Sequence, residues 1–72
     1  MITLSDFNRL NENAKAELTW SGTFLTDRHV DNLKVQLYSL ENFYVEVFYD
    51  PQENKITGFN TFDKIGFLAP YL

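Results

Sequence analysis

The pattern of apolar and polar residues divides the chain into a helical part followed by strands. From residue 4 to residue 19, apolar side chains recur every three or four positions, the spacing of one helix face. From residue 23 onward the period changes to two, which indicates strands at about residues 23–27, 33–39, 43–49 and 55–62. The apolar stripe of the predicted helix consists of Leu4, Phe7, Leu10, Ala14 and Leu18.

The start of the predicted helix has clear capping signals. Thr3 is a suitable N-cap, and Asp6 three residues later is in the capping-box position. Ile2 before the cap and Phe7 inside the helix are spaced for a hydrophobic staple. Gly22 is available to end the helix.

Short polar segments separate the predicted strands. Residues 28–32 have the composition of a hairpin loop, residues 39–42 form a tight turn, and Asp50-Pro51 begins a turn that Asn54 can complete in a left-handed conformation. Three short connections in a row predict an antiparallel meander. The fold class is therefore α+β, with one N-terminal helix on a four-stranded antiparallel sheet and a short helical turn or tail over residues 63–72.

The third strand is apolar on both faces and is expected to be central. We expect Val45 and Val47 to face the helix, together with Leu33, Val35 and Leu37 of the second strand. Tyr44, Glu46 and Phe48 then point to the other face with Tyr38, and Trp20 is a possible neighbour. Either residues 64–72 fold back over that face or another molecule covers it. The pattern also leaves open whether a bulge at Gly58 brings Ile56 and Phe59 to one face.

Composition limits the classes of function. The chain has 72 residues, enough for one domain, and ten acidic against six basic residues give a net charge of −4. This charge disfavours nucleic acid and anionic membrane surfaces as partners. The chain lacks cysteine, which excludes thiolate metal sites, and its longest apolar runs are too short to span a membrane. A cytoplasmic location is expected.

Two places have residues that could carry chemistry. Asp27, His29 and Asp31 alternate in the predicted hairpin loop, but three ligands on a solvated tip make a poor metal or general-base site. Glu46 lies within an aromatic strand, where burial without a partner would raise the pKa of its carboxyl. A cross-strand pair with Lys34 is the simpler expectation. The sequence therefore predicts no catalytic, cofactor-binding or metal residues.

The sequence favours a small non-catalytic protein-interaction module. A marginal core combined with an apolar second sheet face predicts self-association as a homodimer, through that face or through a sheet edge. The alternative is an acidic inhibitor or immunity-type protein that binds a basic partner, and a minor alternative is an enzyme or ligand-binding protein using Glu46 or His29. The predicted interaction residues are Trp20, Tyr38, Tyr44, Glu46 and Phe48.

Overall fold

The computed structural model describes residues 2–63, which form two short helices followed by four strands. Residues 64–72 of the predicted helical turn or tail lie outside this range. The elements are α1 (Leu4–Asn8), α2 (Glu12–Trp20), β1 (Thr23–Val30), β2 (Leu33–Ser39), β3 (Tyr44–Asp50) and β4 (Lys55–Phe62).

The predicted single helix is two helices, because a second cap interrupts it. The capping box at the first start is confirmed: Thr3 accepts a hydrogen bond from the Asp6 amide, and Asp6 accepts one from the Thr3 amide. Asn11, however, has an extended backbone, and its side-chain oxygen accepts a hydrogen bond from the Ala14 amide at 2.8 Å. Asparagine is among the strongest N-cap residues, so α2 starts anew after Asn11.

The strands form one open antiparallel sheet in the order β1-β2-β3-β4, which confirms the predicted meander. The first strand is longer than expected. Arg28, His29 and Val30 pair with β2, so the predicted loop shrinks to a two-residue turn in which Asp31 has a positive φ of 55°. The turn after β3 is as predicted, because the Asp50 side chain accepts hydrogen bonds from the backbone amides of Gln52 and Glu53, and Asn54 is left-handed.

The register of β2 overturns one prediction about the core. Tyr38 lies opposite Val45, and Leu37 lies opposite Glu46. Directly paired residues share a face, so Tyr38 belongs to the face that carries Val45, whereas Val35 and Leu37 belong to the opposite face. We call the face that packs on the helices the helix side and the opposite one the second face. Leu33 lies on the same face as Val35 and Leu37 by the alternation of β2, so the expectation that Leu33, Val35 and Leu37 lie beneath the helix is wrong.

Both outer strands carry a bulge. In β4, Phe48 pairs with Gly58 while Tyr49 pairs with Ile56, so Thr57 is an extra residue and Ile56 and Phe59 reach the same face. This answers the question that the sequence left open at Gly58. In β1 the register shifts between Phe24 and Thr26. Bulges twist a sheet edge and hinder the addition of a further strand.

The core beneath the helices is centred on Phe7. Its ring is fully buried and contacts Phe43 and Phe59 in edge-to-face geometry, with centroid distances of 5.5 and 6.2 Å. Val45 and Val47 are buried in the same cluster, as predicted. Leu4, Leu10 and Leu18 of the apolar stripe pack against it, so the stripe contacts the core although the helix is broken.

Candidate functional site

Three aromatic rings form an exposed surface where α2 meets the first two strands. Tyr38 is in the middle, 5.4 Å from the Trp20 ring and 5.5 Å from the Phe24 ring between centroids. Trp20 and Phe24 are both 48% exposed. We call these three residues the aromatic surface. Large aromatic rings exposed together are typical of binding sites in proteins.

An apolar cleft opens on the helix side, with Trp20 as one of its walls. It has a volume of about 310 Å³, and β2, β3 and β4 supply its other walls. The cleft lies beside the core around Phe7, since its lining residue Val47 belongs to that cluster and Ile56 packs against it. The aromatic surface thus continues into a concave, mostly apolar groove. The cleft is lined by Trp20, Lys34, Gln36, Val47, Tyr49 and Ile56.

The second face is apolar and well buried. Val35 and Leu37 are 0% and 2% exposed, although both helices pack on the other side of the sheet. Tyr44 stacks on Phe62 at the end of this face, with ring centroids 5.6 Å apart. Little of its centre is therefore accessible on the single chain. Residues 64–72, one of the two covers that the sequence left open for this face, lie outside the described residues.

A polar network crosses the second face and corrects the predicted partner of Glu46. The Glu46 carboxylate is buried, accepts a hydrogen bond from the Arg28 guanidinium at 3.1 Å and accepts another from the Asn60 side-chain amide at 2.9 Å. Arg28 is in β1 and Glu46 is in β3, so the guanidinium reaches across β2. Lys34 lies on the helix side instead, and its ammonium is 3.6 Å from the Asp27 carboxylate.

The residues of the predicted hairpin tip are not gathered into a site. Asp27 and His29 belong to β1, and Asp31 is in the turn. Among residues 2–63 no three histidine, cysteine, aspartate or glutamate side chains are placed to hold a metal ion. Glu46 is engaged with Arg28 and Asn60, so its geometry is that of a structural ion pair.

The predicted interaction residues separate into two groups. Trp20 and Tyr38 meet on the helix side, whereas Tyr44, Glu46 and Phe48 share the second face. The expectation that Tyr38 joins Tyr44 is therefore corrected by the register of β2. Their role in binding stays a prediction.

Two residues important to these surfaces were missed. Phe24 was predicted to be in a strand, but the bulge that follows it gives no signal in the sequence. Arg28 was assigned to a loop, because Arg28, His29, Asp31 and Asn32 together resemble a polar turn. The bond from Arg28 to Glu46 joins residues 18 positions apart, which no local pattern reports.

Comparisons with protein families, with curated proteins and with solved structures find no match to this chain. In the part of the chain that the structure describes, neither helix is long and apolar enough to cross a membrane.

Proposed function

We propose that this chain is a non-catalytic module that binds another protein through the aromatic surface. The observation that supports it is the exposure of Trp20 and Phe24, each 48%, on either side of Tyr38. Aromatic side chains bury a large area at a low entropic cost, and tryptophan and tyrosine dominate the energetics of protein interfaces. The adjoining cleft offers a concave seat for a side chain of the partner.

The other parts of the sheet are less suitable for binding. Both outer strands have bulges, which hinder strand addition at either edge. The centre of the second face, at Val35 and Leu37, is buried in the single chain. These two features favour the helix side as the surface that a partner meets.

A different protein is favoured over a second copy of the chain. Each copy carries a net charge of −4, so two copies repel each other at long range. Self-association, which the sequence predicts through a face with Tyr38, Tyr44 and Phe48 or through a sheet edge, is the alternative.

Site-specific photocrosslinking in the native host tests the proposal. A photoreactive phenylalanine analogue is placed at Phe24, at Phe48 on the second face, or at Glu53 in the exposed turn after β3. We expect a defined adduct from position 24 alone, with a mass other than twice the 8.5 kDa of the chain. An adduct of twice that mass from position 48 would instead establish the homodimer.

Affinity measurements with the crosslinked partner, once purified, complete the test. Phe24→Ser should weaken binding by about tenfold or more, because interface aromatics are the side chains whose loss costs most. Leu25→Ser is the matched control, since Leu25 is 46% exposed and adjacent to Phe24 in the chain. Equal effects of the two substitutions, or crosslinks as frequent from Glu53 as from Phe24, would contradict the proposal.

A further inference from the structure

Most of the charged side chains of residues 2–63 that lie outside the three ion pairs are acidic. Residues 2–63 contain all ten carboxylate side chains and five of the six basic residues. Three of those five bases, Arg9, Arg28 and Lys34, are in ion pairs with acidic residues. Lys15 and Lys55 are the two described bases outside these pairs, against seven carboxylates outside them. The molecule therefore presents a predominantly negative surface to a partner.

One carboxylate lies next to the aromatic surface, and a second lines an adjoining cleft. Glu17 is exposed and precedes Trp20 by three residues in α2, so the two side chains are neighbours on the helix surface. Glu41 lines a second cleft, of about 380 Å³, together with Ser21 and Thr23. Ser21 directly follows Trp20 in the chain, and Thr23 directly precedes Phe24, so this cleft borders the aromatic surface.

An exposed indole and an exposed phenyl ring beside carboxylates have a specific binding preference. The face of an aromatic ring carries partial negative charge and attracts the cationic head of arginine or lysine, with tryptophan the strongest acceptor. A carboxylate nearby adds an ion pair and hydrogen bonds to the same cation. Arginine suits such a site best, because its flat guanidinium stacks on a ring while its N–H groups reach a carboxylate.

Resting on the proposed function, we infer that the partner presents a basic segment to the aromatic surface. An arginine side chain of that segment lies on the Trp20 indole, and the carboxylates of Glu17 and Glu41 contact the cation or its neighbours. The acidic surface attracts the segment from a distance, and the aromatic rings hold it at short range.

Peptide binding to the intact chain tests the inference. The probe is a capped heptapeptide of alternating glycine and arginine, compared with versions that carry lysine or the neutral arginine analogue citrulline. Trp20 is the only tryptophan of the chain, so its fluorescence reports binding at this surface. We expect saturable binding of the arginine peptide, weaker binding of the lysine peptide, and a loss of about tenfold or more with citrulline.

Matched variants separate a specific site from general attraction of a basic peptide to an acidic protein. Glu17→Gln and Glu41→Gln should each weaken binding of the arginine peptide several-fold. Glu53→Gln removes the same charge from the exposed turn after β3 and should have much less effect. Phe24→Ser should weaken binding while leaving the Trp20 reporter in place.

The outcomes are distinct. Citrulline and arginine peptides that bind equally, no saturation with the arginine peptide, or equal effects of the three glutamine substitutions would overturn the inference of a basic partner. The proposed function would still stand if the purified partner loses affinity on Phe24→Ser. Failure of Phe24→Ser to weaken either ligand would overturn both.

Discussion

Removing either member of the ion pair between Arg28 and Glu46 should destabilise the domain, and the two losses should be unequal. The side chain of Glu46 is 7% exposed, whereas that of Arg28 is 29% exposed. When one member of the pair is removed, the desolvation free energy of the remaining charge is no longer offset, and this penalty is larger for the more buried group. Arg28→Met, which leaves the Glu46 carboxylate, should therefore cost more than Glu46→Gln.

The magnitudes follow from the geometry of the pair. At 3.1 Å the gross attraction is about 5 kcal/mol for an effective dielectric constant near 20. Desolvation of the two ions offsets most of this attraction, so the net contribution of the pair is small. Removing one member of a fully buried pair nevertheless costs about 3–5 kcal/mol, because the other charge stays buried without compensation. We expect about 3 kcal/mol for Arg28→Met, and about 2 kcal/mol for Glu46→Gln because water reaches part of Arg28. The glutamine keeps the size of the side chain and an oxygen that accepts the Asn60 hydrogen bond, so this variant isolates the charge.

Urea denaturation followed by Trp20 fluorescence measures these changes. A domain of this size is stabilised by about 4–10 kcal/mol, so a loss of 2–3 kcal/mol shifts the midpoint clearly. The double variant should cost about 2–3 kcal/mol less than the sum of the single variants, since the second change removes a charge already left without its partner. Hydrogen exchange should accelerate more in β1 than in β4, because Arg28 ties β1 to β3 across β2. Single variants as stable as the parent, or additive effects, would refute this account of the pair.

Three further changes test the helix side of the fold. Phe7→Leu should lower the free energy of unfolding by about 2 kcal/mol, measured by denaturation, because it removes both edge-to-face ring contacts from a fully buried site. Gly22→Ala should destabilise the domain, measured as a lower melting temperature, because a Cβ there would lie 2.7 Å from the Ser39 carbonyl oxygen and would clash with Leu40. The pKa of the Asp6 carboxyl is lowered, first by the hydrogen bond from the Thr3 amide and then by the Thr3 hydroxyl and Arg9. Its ionised form therefore stabilises the fold at neutral pH, and this contribution is lost as the pH falls below the ordinary aspartate range and through the lowered pKa. The stability difference between the parent and Asp6→Asn should shrink over that interval, and a difference independent of pH would contradict the capping role.

The parts of the fold that the sequence predicts correctly depend on local signals. The capping box at Thr3, the two-residue period of the strands and the turn after Asp50 each involve residues within a few positions of one another. The break between the helices is also local, and Asn11 is the signal for it, but the apolar stripe continues through the break and hides it. The meander order follows from connections too short for any other antiparallel arrangement.

The face assignment of β2 could not be predicted, because alternation shows which residues share a face without showing which face it is. Normally the apolar set of one strand is matched to the apolar set of the next, but β3 is apolar on both sides. A register that paired Val35 with Val47 would therefore match apolar residues as well as the observed one, which pairs Val35 with Phe48. The actual register comes from the connection between β2 and β3, where the Leu40 amide donates to the Phe43 carbonyl at 2.8 Å. A shift of one residue in that connection would exchange the two faces.

The observed register of β2 also determines which surface of the sheet is accessible to a partner. Val35 and Leu37 are buried on the second face, and so is the Glu46 carboxylate that pairs with Arg28. A partner that bound there would have to desolvate or disrupt this ion pair. Tyr38 lies on the helix side, where its ring contacts the exposed rings of Trp20 and Phe24. Rings of this kind can be covered without breaking an existing polar contact. The pairing of β2 thus favours binding on the helix side, where Trp20 and Tyr38 lie apart from Tyr44 and Phe48 although the sequence grouped all four.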